Sequence, residues 1–273
     1  MEQSRNRIER LLALEPLGDD AFLAPTPSEG PPRLFGGQVA AQSLRAATLT
    51  VEAGRPPHSL HAYFMRPGRP GTPLRLDVDR MRDGRSFTTR QVTASQEGEA
   101  IFTLTASFHA AEEGDDWQLP APSGIAVPDS LPPPTNGPPF AVMLPFDIRP
   151  TREPAPDGFP LRHPFWLRAR EVTDADPALH ACVLAFLSDM AVVSSARAPG
   201  STVARFGGAS LDHAMWFHRP ARADEWLLFS VDPVSNAGAR GLALGTLHDR
   251  AGVRVASIAQ EALLRPTGGA NRA

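Results

Sequence analysis

The chain has 273 residues, of which 42% are hydrophobic, and a formal net charge of −3. Its length suits one large domain or two of ordinary size, with enough apolar residues for a buried core. No block of like charge predicts a nucleic-acid or membrane surface, and no apolar run reaches the ~20 residues of a membrane span. Every basic residue is arginine, which excludes Schiff-base chemistry on lysine and a phosphate-loop lysine.

The N-terminal region and the cysteine content predict a cytoplasmic protein. The first 18 residues have no signal-peptide hydrophobic region and fit a short amphipathic helix around Ile8, Leu11 and Leu12. Cys182 is the single cysteine, so no internal disulfide can form, which fits a reducing compartment. Its apolar surroundings predict a small buried hydrophobe.

Residues 34–110 predict a long helix followed by at least four antiparallel strands. The helix, over 34–54, begins at Gly36-Gly37, and most of its apolar residues are small. The strands alternate polar and apolar residues between glycine-containing turns. The glycine pair would place backbone N–H groups at a helix N-terminus, where they can bind an anion or a developing oxyanion. A simple tight turn is the alternative interpretation.

Residues 111–165 contain about half of the prolines of the chain, including Pro138-Pro139. Proline favours extended backbone and disfavours helix and interior strand, so this segment is predicted to be a linker that runs over a surface. Two short strands, over 146–150 and 165–172, are predicted at its end.

A strongly apolar helix is predicted between 176 and 198. Asp176-Pro177 is a favourable helix start, and an almost unbroken apolar run follows from 178 to 193. An acid, Asp189, lies inside this run. A buried carboxylate is costly unless it has partners, so either Asp189 has partners or the helix breaks there, with Ser188 or Asp189 as a new cap.

The second half repeats the pattern of the first. Tyr63 to Pro67 matches Trp216 to Pro220, and the turn residue Gly98 matches Gly252, with the same shift along the chain to within one residue. That shift also aligns Gly36-Gly37 with Asp189-Met190. These agreements indicate an internal duplication of a unit made of one helix and one antiparallel sheet.

Three polar residues distinguish the second unit. Gln260 interrupts the apolar face of the last strand, where the first unit has Ala106; Asp189 and Ser210 are the others. Together they indicate one working site and one degenerate copy. Each also has a structural interpretation: a bond to a neighbouring strand for Gln260, a helix cap for Asp189 and a turn for Ser210.

Other catalytic patterns find little support in the sequence. His213 follows Asp212, but adjacent strand residues point to opposite faces and cannot bond to each other. There is no Gly-x-Ser-x-Gly segment, no metal-ligand spacing and no evident Ser-His or Cys-His pair. We therefore expect no metal and no covalent nucleophile.

The segments FGGQVAAQSL, HSLHAYFMRPG, RDGRSF, LDHAMWFHRP, EWLLFSV and VASIAQEALLR, in this order, resemble the acyl-CoA thioesterase II family. The resemblance covers nearly the whole chain. It implies an α+β tandem double hotdog, with two long helices each wrapped by an antiparallel sheet. The implied boundaries are a non-catalytic hotdog at 1–112, a proline-rich linker at 113–145 and a catalytic hotdog at 146–273.

The resemblance also implies chemistry. Its catalytic set falls on Asp189, Ser210 and Gln260, which would hold and polarise the water that hydrolyses a fatty acyl-CoA to fatty acid and CoA. Ser210 departs from the threonine that a compared member carries there. Gly36, Gly37 and His58 are candidates for oxyanion or substrate binding. We expect no cofactor, no nucleic-acid or membrane partner, and a homodimer or homotetramer.

Two other functions remain open from the sequence. A hotdog enoyl-CoA hydratase would use an aspartate together with a histidine, for which His213 is the candidate. A non-catalytic acyl-CoA-binding protein is the alternative from another class.

Overall fold

The structure is a computed structural model that describes residues 7–29, 31–134, 146–153, 161–170, 172, 176–199 and 208–265. Pro138-Pro139 and the outer ends of both predicted units lie outside these residues. The helices are α1 (Arg7–Leu12), α2 (Gly36–Leu49), α3 (Pro177–Leu187) and α4 (Val192–Ser195). The strands are β1 (Glu15–Gly18), β2 (Ala21–Ala24), β3 (Pro57–Phe64), β4 (Leu74–Asp83), β5 (Phe87–Gln96), β6 (Glu99–His109), β7 (Phe146–Pro150), β8 (Phe165–Ala169), β9 (Gly208–Ser210), β10 (Asp212–Phe217), β11 (Leu227–Ala237), β12 (Arg240–His248) and β13 (Arg254–Leu264).

The strands of the described chain form one antiparallel sheet. The order is β1-β2-β4-β5-β6-β3-β10-β13-β12-β11-β8-β7, with β9 added beside β13. Strands β1 to β6 come from the first half and β7 to β13 from the second, so the halves join edge to edge where β3 pairs with β10. Each half therefore has a long helix and its own set of antiparallel strands, as the sequence predicts.

The helix α3 starts and ends for identifiable reasons. The Asp176 side chain accepts a hydrogen bond from the Ala178 N–H, and Pro177 occupies the first turn, as predicted. The helix stops at Leu187, two residues before Asp189, and the chain turns through Ala191 at φ 60° before α4. Asp189 therefore lies in a break between two helices, and neither it nor Ser188 caps α4.

The two long helices lie antiparallel against each other. Gly37 in the first turn of α2 contacts Asp189 beyond the end of α3, while Arg45 forms a 3.5 Å ion pair with Asp176 at the start of α3. The predicted alignment of Gly36-Gly37 with Asp189-Met190 is wrong: Gly36 opens α2, whereas Asp189 follows α3. The strand matches fit the structure, since Gly98 and Gly252 both occupy turns with positive φ.

One large apolar core spans both halves, and Cys182 is part of it. Burial raises the pKa of its thiol to about 12, so it is an inert core residue as predicted. A smaller cluster of Trp166, Trp226 and Leu228 lies under Ile125 and Leu131 of the linker. These two side chains of the described linker therefore pack on the second half of the chain. Within the residues that the structure describes, no helix is long and apolar enough to cross a bilayer.

Candidate active site

The break after α3 places a carboxylate in an apolar environment. Asp189 is 7% exposed, and its Oδ2 accepts a 2.8 Å hydrogen bond from the Gly37 N–H. Its buried Oδ1 accepts no hydrogen bond from the described residues. One carboxylate oxygen is therefore fixed by the backbone of α2, and the other is available for chemistry.

Ser210 and Gln260 meet through the pairing of β9 with β13. Ser210 lies opposite Ala262, which shares a strand face with Gln260 two residues earlier. This diagonal arrangement lets Gln260 Nε2 donate a 2.8 Å hydrogen bond to Ser210 Oγ. Gln260 is completely buried, so its amide depends on hydrogen-bond partners inside the protein.

His213, which the sequence supports only as the candidate of the hydratase alternative, belongs to the same polar cluster. His213, on β10, is 1% exposed; its Nδ1 lies 2.6 Å from Gln260 Oε1, and its Nε2 lies 2.8 Å from Ser188 Oγ. The structure thus contains a Ser188–His213 pair, although none was evident from the sequence. As predicted, Asp212 does not bond to His213; its carboxylate accepts the Glu261 N–H instead.

The duplication contained a signal for His213. The shift that aligns Tyr63 to Pro67 with Trp216 to Pro220 pairs His213 with Leu60. The first half therefore has an apolar side chain where the second half has a buried imidazole, the same exchange that identified Gln260.

Burial controls the acidity of the two titratable groups in this cluster. Burial raises the pKa of Asp189 above its usual value, because the charged form loses hydration. The nearby His213 and the polar groups of Gln260, Gly37 and Ser210 act in the opposite direction. Burial lowers the pKa of His213, and the proximity of Asp189 opposes that shift. A carboxylate with a raised pKa is suited to act as a general base.

Asp189 and Ser210 lie in the wall of a cavity of about 580 Å³. Much of the rest of the wall is apolar. The cavity lies between the start of α2, the end of β3 and the segment around α4; its apolar lining includes Leu34, Phe35, Val39, Phe64, Met65, Ile101, Phe102, Val192, Val193 and Leu211. Arg33, Arg66 and Arg197 also contribute to the wall. The cavity therefore combines a mostly apolar wall with one carboxylate and three guanidinium groups.

Gly36 and Gly37 reach the site, and His58 does not. Gly36 lies in the cavity wall, and a Cβ on it would lie 2.8 Å from Asp189 Oδ2. Gly37 uses its N–H to hold Asp189. His58 lies at the opposite end of β3 from the cavity-lining Phe64, where its Nε2 is 2.7 Å from Ser107 Oγ.

Two family models match the chain in tandem. Residues 24–109 match the acyl-CoA thioesterase N-terminal domain, and residues 125–264 match the acyl-CoA thioesterase C-terminal domain. The chain belongs to the acyl-CoA thioesterase family. This thioesterase is similar to acyl-coenzyme A thioesterase 8 of Mus musculus, with 34% identity over 94% of this chain and 88% of that protein.

Solved structures agree with this membership. An acyl-CoA thioesterase II from Mycobacterium marinum is 39% identical and aligns with a TM-score of 0.81 over 96% of this chain and all of that chain. A protein with a hot dog fold from Alicyclobacillus acidocaldarius, 20% identical, aligns with a TM-score of 0.77 over 94% of this chain and 97% of that one. The predicted double hotdog and thioester hydrolase class of this thioesterase are therefore confirmed.

Proposed function

We propose that this thioesterase hydrolyses acyl-CoA by direct attack of a water molecule that Asp189 activates. The observation that carries the proposal is the burial and hydrogen bonding of this carboxylate. It is buried, it is fixed through Oδ2 by the Gly37 N–H, and its Oδ1 is unbonded among the described groups at the wall of an apolar cavity. Family membership supports an acyl-CoA substrate.

The proposed reaction balances with one water. Asp189 Oδ1 takes a proton as the water oxygen forms a bond to the thioester carbon, and Ser210 and Gln260 orient that water. The carbonyl oxygen becomes an oxyanion. The Gly36 N–H, at the N-terminus of α2, donates no hydrogen bond to the described residues and is suited to stabilise it. The carbon–sulfur bond then breaks, and the CoA sulfur takes the proton back from Asp189.

An acyl-enzyme on Ser188 fits the surroundings less well. Ser188 is 0% exposed and is absent from the cavity wall, whereas Ser210 is in that wall but bonds to an amide and not to a histidine. A serine nucleophile needs both a base and access to the carbonyl carbon. Neither serine combines the two.

The hydratase alternative meets a similar obstacle. A hydratase needs a histidine that reaches the substrate with a free ring nitrogen. Both ring nitrogens of His213 are within hydrogen-bond distance of protein groups, and the ring is not in the cavity wall. The cluster therefore supports hydrolysis by one carboxylate better than acid–base work by an aspartate–histidine pair.

The lining of the cavity suggests where the acyl and CoA parts of the substrate bind. The apolar wall suits the acyl chain, and the arginines at the cavity suit the phosphates of CoA, which guanidinium groups bind well.

The deciding experiment is Asp189→Asn, assayed by release of free thiol from palmitoyl-CoA and from a short-chain CoA ester. We expect kcat to fall by about 10²- to 10⁴-fold, as for loss of a general base. Asp232→Asn, at an exposed position on β11, is the matched control and should be unchanged. Binding of a non-hydrolysable acyl-CoA thioether should survive Asp189→Asn. Near-normal turnover by that variant would reject the proposal, and binding without turnover by the wild type would favour a non-catalytic binder.

A trapping experiment separates direct attack from an acyl-enzyme. Ser188→Ala should stay active, with kcat within about tenfold of wild type, and no acyl adduct should be detected by mass spectrometry during turnover. Complete loss of activity together with an adduct on Ser188 in the wild type would establish the covalent route instead.

A further inference from the structure

A continuous chain of polar contacts leads from the end of α3 to the cavity. It passes from Ser188 Oγ to His213 Nε2, from His213 Nδ1 to Gln260 Oε1, and from Gln260 Nε2 to Ser210 Oγ. Only Ser210 of these four lies in the cavity wall. Gln260 bonds directly to this wall residue through its NH₂ group, whereas Ser188 and His213 act on the reaction, if at all, only through the groups that they hold.

The orientation of the Gln260 amide decides what faces Asp189. With Oε1 towards His213, the NH₂ group faces Ser210 and the carboxylate, where it lowers the pKa of Asp189 and can orient a water. After a 180° flip, the amide oxygen would face the carboxylate instead, and two acceptors would oppose each other. A glutamine amide has nearly the same shape in both orientations, so a partner is needed to select one.

His213 is placed to make this selection. A neutral imidazole has one N–H, and a proton on Nδ1 donates to Gln260 Oε1. Nε2 is then an acceptor, and the Ser188 hydroxyl can donate to it. Ser188 Oγ is also 2.9 Å from the Ala185 carbonyl oxygen, so its single proton serves one of the two acceptors. When that proton goes to Nε2, the ring must carry its own proton on Nδ1.

The first half of the chain shows that the fold does not need this pair. The positions that correspond to His213 and Gln260 are Leu60 and Ala106, which lie directly opposite each other on β3 and β6 and are fully buried. The same strand pair is thus stable with an apolar contact. A buried imidazole–amide pair in the second half costs desolvation that the apolar pair avoids, which indicates a role in the reaction.

We propose that His213, oriented by Ser188, is a positioning residue that keeps the NH₂ end of Gln260 facing Ser210 and Asp189. The inference rests on the proposed function, in which Gln260 orients the attacking water. It assigns His213 no contact with the substrate and no proton transfer in the reaction.

The test compares two substitutions of the same residue. An asparagine side chain retains an N–H close to the position of Nδ1, so His213→Asn can still donate to Gln260, whereas His213→Leu restores the residue type of the first half and removes the donor. We expect His213→Leu to lower kcat by about 10- to 100-fold with KM within about twofold, and His213→Asn to stay within about threefold of wild type. His218→Leu removes a second histidine, directly after β10, which bonds to Ser257 Oγ of β13, and should leave kcat unchanged.

Each outcome has a defined meaning. Equal losses of kcat in His213→Asn and His213→Leu, or a wild-type kcat in His213→Leu, would overturn the inference.

Should His213→Leu not fold, Ser188→Ala provides the second measurement, since it removes the hydroxyl that can donate to Nε2 and so favour the Nδ1–H form. It should lower kcat by about 3- to 10-fold, and an unchanged kcat would count against the inference. If Asp189→Asn is inactive while these variants are normal, only the positioning role fails. If Asp189→Asn is active, the proposed function itself fails.

Discussion

The N–H of Gly37 donates a 2.8 Å hydrogen bond to Oδ2 of Asp189, and the two residues are 152 positions apart in the chain. The bond runs from the first turn of α2 to the break after α3. The carboxylate of the second half is therefore held by the helix of the first half, so the candidate site takes residues from both halves.

We predict that Gly37→Ala lowers both activity and stability. A Cβ on Gly37 would collide with the Phe186 carbonyl oxygen and lie 2.6 Å from the Phe35 ring, so α2 must move away from the end of α3. That movement would lengthen the bond to Asp189, and kcat should fall by about tenfold or more. Steady-state kinetics and thermal melting measure the two effects. Gly114→Ala, where an added Cβ meets nothing within 4 Å, is the control; wild-type kcat in Gly37→Ala would contradict the prediction.

The pH profile of kcat/KM should report the acidity of Asp189. The base works only when ionised, so activity is lost as pH falls through its pKa, and burial places that pKa above the usual 3.8. Ser210 lowers this pKa, so Ser210→Ala should move the acidic limb to higher pH. Profiles recorded from about pH 4 to pH 9 test this, with Ser257→Ala, whose hydroxyl bonds to the exposed His218, as the control. A limb that stays in place or moves to lower pH would contradict the prediction.

Asp189→Asn should be more stable than wild type at neutral pH. The native state holds the Asp189 proton more tightly than the unfolded chain does, so the free energy of unfolding falls as pH rises from the unfolded pKa to the raised native pKa. At pH values above the native pKa, the buried charge of Asp189 lowers the free energy of unfolding by its full amount. Asparagine carries no charge and avoids this loss of stability. The melting temperature should rise by a few degrees, at about 2–4 °C for each ~1 kcal/mol in a chain near this size.

The pH dependence of this gain provides its check. The advantage of Asp189→Asn should shrink as pH falls and vanish near the unfolded pKa, because wild-type Asp189 is then protonated in both states. Asp232→Asn, at an exposed site, should show no comparable gain. Thermal melts at several pH values decide the matter, and a gain that persists unchanged in acid would point to a cause other than ionisation.

Arg33 offers a test of CoA binding. It is exposed, lies in the cavity wall and forms no ion pair with any described residue, whereas Arg66 forms a 2.8 Å ion pair with Glu99. Arg33→Ala should raise KM for palmitoyl-CoA by about 3- to 10-fold with little change in kcat, since one exposed contact to a phosphate contributes roughly 1 kcal/mol.

A truncated substrate distinguishes this effect from general damage. The thioester S-palmitoyl-N-acetylcysteamine lacks the CoA phosphates, so its kinetics should not respond to Arg33→Ala. Arg85→Ala, at an exposed position outside the cavity wall, should leave KM for both substrates unchanged. Equal increases of KM for the two thioesters would remove the phosphate explanation.

Much of the fold was predictable because its signals are local. Alternating residues and turn glycines predicted β3 to β6, and Asp176-Pro177 predicted the start of α3. The buried polar residues Asp189 and Gln260 were conspicuous because apolar neighbours surround them in sequence. The boundaries of the two hotdogs and the catalytic roles of the three residues stay predictions.

Other features depend on contacts that no local pattern encodes. The apolar run between 178 and 193 leaves open whether the helix breaks at Asp189 or continues with partners for the carboxylate. The structure shows both a break after Leu187 and a partner, the Gly37 N–H of α2. His213 looked like an ordinary strand residue because its partners, Ser188 and Gln260, are 25 and 47 positions away. The misaligned helix starts have the same origin, since strand spacing is similar in the two halves and helix placement is not.

The pairing of β3 with β10 has a consequence for stoichiometry. Two identical subunits joined about a twofold axis would be obliged to repeat every substitution, and each working centre would appear twice. A covalent tandem releases the two lobes from that obligation, so Leu60 and Ala106 can serve packing while His213 and Gln260 serve polar contacts. Titration with a tight inhibitor should accordingly find one competent centre for each polypeptide, however many chains assemble.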